Sequence, residues 1–150
     1  MERFHSLFPY QQDKKVVLVG NHDIGFHYDV TDYKRKRFYG AFSLDTSGVR
    51  RFTMKNVHFV VIDSMAMHGD NCQFCATAMK KVDTVSNELK CMEDKDNCEF
   101  SYSYEYSHPI LLQHFPLYRK SDAECHSNDP DDLSDLKEKE KPFRHSVSFL

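Results

Sequence analysis

The chain has 150 residues, with 23 acidic and 20 basic side chains, a formal charge of −3 and 40% hydrophobic residues. That length suits one domain whose core can fold without metal or disulfide staples, and the near-neutral balance excludes the concentrated basic face of a nucleic-acid binder. The longest apolar runs, Val16–Val19 and Phe59–Ile62, are strand-sized, well short of the roughly 18 residues of a membrane span.

Taken in chain order, Glu2, His5, Pro9 and Gln11 interrupt any apolar core of a secretory signal after Met1. Lys15–Gly20 (KVVLVG) is a β-branched apolar run ending at glycine, the pattern of a strand buried in a sheet covered on both faces. From Asp32 to Phe42, Tyr33, Arg37, Tyr39 and Phe42 mix with Lys34, Arg35 and Lys36 behind an N-cap oxygen from Thr31 or Asp32, which predicts an amphipathic helix. Val49–Met54 and Val57–Asp63 flank the turn residues Lys55-Asn56 and predict a β-hairpin. Ser64–Asn71 reads as a loop, Ala76–Leu89 as a second helix, and Asp94–Glu105 as polar, tyrosine-rich irregular chain. Ile110–Phe115 (ILLQHF) predicts a further buried strand, stopped by Pro116. Asp129–Lys141 carries acids and lysines with only Leu133 and Leu136 as apolar residues, the pattern of a mobile, solvated tail.

Five cysteines suit an exported protein better than a cytosolic one. They are Cys72, Cys75, Cys91, Cys98 and Cys125, and two disulfides among them would leave one thiol over. Structural disulfides in a loop-rich insertion are the leading reading, with unpaired buried thiols as the bland alternative. A zinc site is disfavoured because six residues separate Cys91 from Cys98, where a knuckle needs about two to four. A thioredoxin-type pair at Cys72 and Cys75 is disfavoured too, because a polar loop and not a strand precedes it.

The chemistry concentrates in Gly20-Asn21-His22-Asp23, directly after the first apolar run. A glycine lets the backbone turn sharply there, so the following side chains project from the sheet's carboxyl edge, where open α/β sheets bind ligands. Asn21 offers an amide oxygen to a cation, His22 can donate a proton, and Asp23 can hold the imidazole in the needed tautomer. A locally stabilised polar turn is the bland reading of the same residues. His114, at the end of LLQHFPLYR, again falls at a sheet edge and is a potential metal ligand, or else a satisfied core histidine. Arg119 could pair with an anionic substrate but reads better as a surface arginine; His27, His58 and His68 read as non-ligands, with His58 facing outward on its strand, and Asp63 and Asp70 as structural. The chain has no Walker A loop, nucleophile elbow or dinucleotide fingerprint.

The Gly-Asn-His-Asp turn after an apolar strand resembles the third signature block of calcineurin-like metallophosphoesterases. The longer stretches GNHDIGFHY (Gly20–Tyr28) and LLQHFPLYR (Leu111–Arg119), with Ser121-Asp122-Ala123 and the cysteine spacing between, are similar to the metallophosphoesterase 1 subfamily of GPI-anchor remodelling. The resemblance covers residues 1–125 as a partial metallophosphoesterase domain and leaves 126–150 as the polar tail. It implies an α/β (α+β) fold, a partial αββα sandwich with a cysteine-containing insertion. By the same resemblance Asn21 and His114 match ligands of the second metal, His22 the acid that protonates the leaving oxygen, and Asp23 its supporting carboxylate. The implied cofactors are two divalent ions, manganese among them, flanking a hydroxide that attacks phosphorus. The implied substrate is the ethanolamine phosphate of the GPI glycan on GPI-anchored proteins, in the secretory pathway, with membrane attachment only through segments outside this chain.

The family's Asp-x-His, Gly-Asp-x-x-Asp and Gly-His-x-His blocks do not occur: Asp13 stands alone before Gly20, and His126 and His145 lack the last block's context. The expectation is therefore the middle section of a larger enzyme, itself inactive and at most a weak metal binder. A non-catalytic truncated product, or an unrelated disulfide-stabilised lumenal binding module, are the alternatives.

Overall fold

The computed structural model describes residues 2–8, 15–70, 72–98 and 102–116. The chain divides by packing into two units, Met1–His114 and Phe115–Leu150, and the helices, sheet and side-chain contacts that follow belong to the first. Helices are α1 (Glu2–Leu7), α2 (Asn21–Ile24), α3 (Asp32–Phe42) and α4 (Gln73–Glu93), and strands are β1 (Val49–Met54), β2 (Val57–Ile62) and β3 (Ile110–Gln113). The expected boundary at residue 125, the polar tail, Cys125 and Arg119 all lie outside the described residues.

The three strands form one mixed sheet in the order β1-β2-β3. β1 and β2 are antiparallel, from Val49 opposite Ile62 to Met54 opposite Val57. Their tight turn puts Lys55 and Asn56 at φ of 51° and 62°, the left-handed pair that matches the twist of a two-residue hairpin. β3 joins β2 in parallel, Phe59 opposite Ile110 through Ile62 opposite Gln113. A parallel partner needs a long crossover, and here that crossover carries α4.

Helix α4 covers the sheet. Ala78, Val85 and Leu89 bury one of its faces against Val49, Val60 and Ile62, with Val82 beside them; spacings of three, four and seven put these positions on one helical stripe. The half-buried pair of Arg51 Nε and Glu88 Oε2, 2.9 Å apart, ties β1 to the same helix. The helix runs longer than the pattern Ala76–Leu89 suggests, because Cys72 caps its start: the Sγ atom accepts the N–H of Cys75. Helix α3 has the expected bounds, and Thr31 Oγ1 accepts from Lys34 N at its start. At the mouth of the hairpin Gly48 has φ 80°, and an added Cβ would lie 3.0 Å from the Phe74 ring, so both backbone and space demand glycine there.

Two expectations fail. Lys15–Val19 is not a strand: no ladder partner pairs with it among the described residues, and Val16 is half exposed. Apolar β-branched composition supports a strand only where neighbouring backbone supplies hydrogen bonds, and the described sheet supplies none to this run. The run instead lines a cavity of about 30 Å³ with Val49, Val61 and Ile62. His58 does not face outward but is fully buried. The even-numbered residues of β2 are the ones turned to the core, and His58 satisfies both ring nitrogens there, Nδ1 with Thr53 Oγ1 at 2.8 Å and Nε2 with the Glu105 carbonyl at 3.0 Å. A buried imidazole is tolerated when both nitrogens are paired. The sheet has three strands among the described residues, so the fold observed is an α/β portion of a sandwich.

Ile62 is 3% exposed at the centre of this core. Ile62→Ala should destabilise the chain by roughly 2–5 kcal/mol, read as a lower urea midpoint; a midpoint that stays put would mean the core is organised around other residues.

Candidate functional site

The carboxyl end of the sheet gathers the residues singled out in the sequence. Parallel pairing of Ile62 with Gln113 brings the next residues of each strand, Asp63 and His114, to the same edge. Gly20 buries its backbone against the His114 imidazole: a Cβ at Gly20 would sit 3.0 Å from both Cε1 and Nε2 of that ring. The glycine is therefore required by close approach, its φ of −115° being ordinary extended backbone. Asn21 then opens α2, and its Oδ1 lies 2.9 Å from His114 Nε2 across 93 residues of sequence. An amide oxygen and an imidazole nitrogen thus converge on one point at the sheet edge.

Asp23 holds this turn together. Its Oδ2 accepts the N–H of Gly20 at 2.8 Å, while its own N–H donates to the Gly20 carbonyl. The sequence reading assigns Asp23 to the His22 ring, but among the described residues no hydrogen bond joins them. His22 is exposed and opens with Asp23, Lys34 and Arg37 onto a cleft of about 480 Å³. Asp23 therefore places His22 through the backbone of α2. Ile24, fully buried, anchors the other side of the turn.

Asp63, read from sequence as structural, is the buried carboxylate of this edge, 3% exposed. Its Oδ2 accepts from the Tyr39 hydroxyl at 2.7 Å and its Oδ1 from Met65 N–H at 2.9 Å. Burial pushes its pKa up to about 6, against the pull of those two donors and of Arg35 and His114. Tyr39 is held above the usual tyrosine range by burial and by the Asp63 charge, so it remains a neutral donor. The sequence signal for this role was present: a carboxylate directly after an apolar strand must be paired or protonated.

A second cluster is built from residues other than Asn21 and His114. His27, Asp70, Cys72 and Cys75 bring one potential ligand atom each to within 4.8 Å of one another. Cys72 and Cys75 are joined as a disulfide, as are Cys91 and Cys98. His27 places Nε2 2.8 Å from Asp70 Oδ2 and Nδ1 2.8 Å from the Met65 carbonyl, and His68 stacks on its ring at 4.1 Å. Sequence reasoning set both histidines aside as lying in loops after the site, and left Asp70 as structural for want of a matching family block; no spacing rule links residue 27 to residues 70–75.

Comparison with known proteins returned no matching family model and no matching solved structure. Among curated proteins, the chain is 43% identical to Metallophosphoesterase 1 of Gallus gallus over 156 aligned residues, covering 100% of this chain and 38% of that protein. It is 37% identical to Metallophosphoesterase 1 of Cricetulus griseus with the same coverage. A Metallophosphoesterase 1 homolog of Drosophila melanogaster is 44% identical over 116 residues, 76% of this chain and 31% of the relative. The chain thus spans less than two fifths of the length of these relatives.

Gly20→Ala should push the His114 ring away and separate it from Asn21, seen as a changed imidazole resonance of His114 with the core resonances retained. An unaltered His114 signal would show that the backbone, not the ring, has given way. The raised pKa of Asp63 also fixes a sign. The folded chain holds this proton where the unfolded chain has released it, so the contribution is full below about pH 4 and is lost as pH rises through about 6. Asp63→Asn should remove on the order of 2–3 kcal/mol of pH dependence between pH 4 and 7, measured by urea unfolding across that range. An equal slope in both proteins would assign the titration to another group.

Proposed function

The chain belongs to the metallophosphoesterase 1 family over the segment it spans, and on that premise we propose that the complete protein is a metal-dependent phosphodiesterase whose leaving-group acid is His22. The single observation that carries the reading is the meeting of Asn21 Oδ1 and His114 Nε2 at 2.9 Å, beside a histidine open to a cleft. Two ligands bound at about 2.0–2.2 Å to one ion at a right angle lie roughly 3 Å apart, so this oxygen and nitrogen fit a shared divalent cation. Asn21 and His114 would hold it, and the chemistry a divalent cation supplies there is polarisation of a phosphoryl oxygen and a more acidic bound water.

The chain's own residues do the remaining work. Gly20 lets His114 approach the Asn21 turn, Asp23 fixes the turn by taking the Gly20 N–H, and His22 faces the cleft from it. From that position His22 can hand a proton to an alkoxide leaving group, a role worth roughly 10²–10⁴ in rate. Arg37 in the cleft wall supplies positive charge suited to a phosphate-bearing substrate, while Lys34 beside it is paired with the Asp29 carboxylate.

Within this reading the substrate is ethanolamine phosphate on the GPI-anchor glycan of GPI-anchored proteins, with two divalent ions, manganese among them. The resemblance of Gly20–Tyr28 and Leu111–Arg119 supports it. The location we propose is the lumen of the secretory pathway, supported by two disulfides, which persist in oxidising compartments. Among the described residues no helix is long and apolar enough to cross a membrane. The 150-residue chain by itself we infer to be inactive, since Asn21 and His114 alone offer a cation two protein ligands.

The test is His22→Ala in a protein extended to the length of its relatives. Manganese-dependent hydrolysis of a chromogenic phosphodiester should fall roughly 10²–10⁴-fold in kcat, with bound metal per protein unchanged. Metal loss in that variant would make His22 a ligand and remove its acid role; absence of hydrolysis in the unaltered extended protein would sink the enzyme reading.

A further inference from the structure

We propose that the corner formed by Cys72, Cys75, His27 and Asp70 is a redox-gated zinc site, closed as a disulfide and metal-binding as a dithiol. The inference is independent of the phosphodiesterase reading and concerns none of the residues assigned to it.

The corner comes from three segments that the fold brings together: His27 in a 3₁₀ turn, Asp70 in the loop after β2, and the two cysteines at the start of α4. Cys75 Sγ lies 3.9 Å from His27 Nδ1. A sulfur at about 2.3 Å and a nitrogen at about 2.0–2.1 Å from one tetrahedral zinc ion are roughly 3.6 Å apart, so a shift of a few tenths of an ångström suffices. The N–H of Cys75 donates to Cys72 Sγ at 3.0 Å, a bond that favours thiolate over thiol. Cys72 also caps a helix of 21 residues, whose amino-terminal field favours the same anion.

Asp70 supplies the orienting contact. Its Oδ2 faces His27 Nε2 at 2.8 Å and its Oδ1 accepts from Cys72 N–H at 3.1 Å. A carboxylate on the far nitrogen orients the imidazole, the arrangement found around histidine ligands of zinc; Nδ1, which in the disulfide form faces the Met65 carbonyl at 2.8 Å, exchanges that partner for the ion when metal binds. Two thiolates and an imidazole select zinc over the hard cations suited to the oxygen-rich sheet edge. The fourth position falls to solvent.

The gate balances as follows. A trialkylphosphine and one water reduce the Cys72–Cys75 disulfide to two thiols, the phosphine leaving as its oxide. Zinc then binds both sulfurs and displaces the two thiol protons. A small-molecule disulfide then re-forms the Cys72–Cys75 bond by thiol–disulfide exchange, leaving as two thiolates that take up protons, and the ion is expelled.

Cobalt(II) serves as the spectroscopic probe for zinc, added to the phosphine-reduced 150-residue chain. The expected result is one equivalent bound with sulfur-to-cobalt charge-transfer absorption and tetrahedral visible bands. No such absorption should form before reduction, and one equivalent of zinc should erase it. Cys72→Ser should abolish the sulfur band, Asp70→Asn should weaken binding roughly 10–100-fold, and His114→Ala and Cys91→Ser should leave it intact. The proposal is overturned if the reduced unaltered chain gives no sulfur band, if the disulfide resists reduction in a free-thiol assay, or if the band survives Cys72→Ser. Loss of the band in Cys91→Ser would equally overturn it, by moving the site to the other cysteine pair. Should Cys72→Ser lose its circular-dichroism signature, His27→Gln replaces it as the variant: a half-buried position whose exchange must shift the cobalt bands away from tetrahedral sulfur–nitrogen coordination, and unchanged bands refute the assignment.

Discussion

Everything at the candidate site depends on the parallel pairing of β3 with β2. Four rungs, ending at Ile62 opposite Gln113, decide where residue 114 stands. One residue of slip would turn His114 to the other face of the sheet and part it from Asn21. The pairing is expensive in chain entropy, because 47 residues separate Ile62 from Ile110. The core beneath α4 offsets that cost: Ala78, Val85 and Leu89 pack on Val60 and Ile62, and Leu111 of β3 packs partly buried against the same cluster.

Asp63 is the joint between this sheet edge and the helices. It receives the Tyr39 hydroxyl from α3 and the Met65 N–H from the turn that follows β2. That turn in turn presents the Met65 carbonyl to His27. A single buried carboxylate therefore links α3, the sheet and the loop toward the cysteine corner. Leaving it ionised costs desolvation, which the two donors offset only in part, and the result is a carboxyl that titrates near pH 6.

The segment Gly20–His27 serves both chemical corners. Its first residues meet His114 at the sheet edge, and its last reaches Asp70 and Cys75. Between them Ile24 is fully buried, so the two ends are held to one rigid anchor. The donors at the two ends differ in kind: amide oxygen and imidazole at one, sulfur and imidazole at the other. Donor sets suited to hard and to soft cations thus lie within eight residues of chain.

Much of this was legible in the sequence. The hairpin followed from two apolar runs around Lys55-Asn56, helix α3 from Thr31 and the residues behind it, and the importance of Gly20–Asp23 and His114 from their places after apolar runs. These are local properties, set by turn geometry, capping and periodicity. The Lys15–Val19 run and His58 were misread because strand pairing and the phase of burial depend on neighbours that the local pattern does not contain. Asp23 bonding to backbone instead of to His22, and the gathering of His27 with Asp70, Cys72 and Cys75, were likewise beyond local reading. The sequence by itself determined the elements and the residue types able to carry chemistry. Only the tertiary structure decided which of them meet, because a contact across 93 residues is fixed by sheet register and helix packing and by no spacing along the chain.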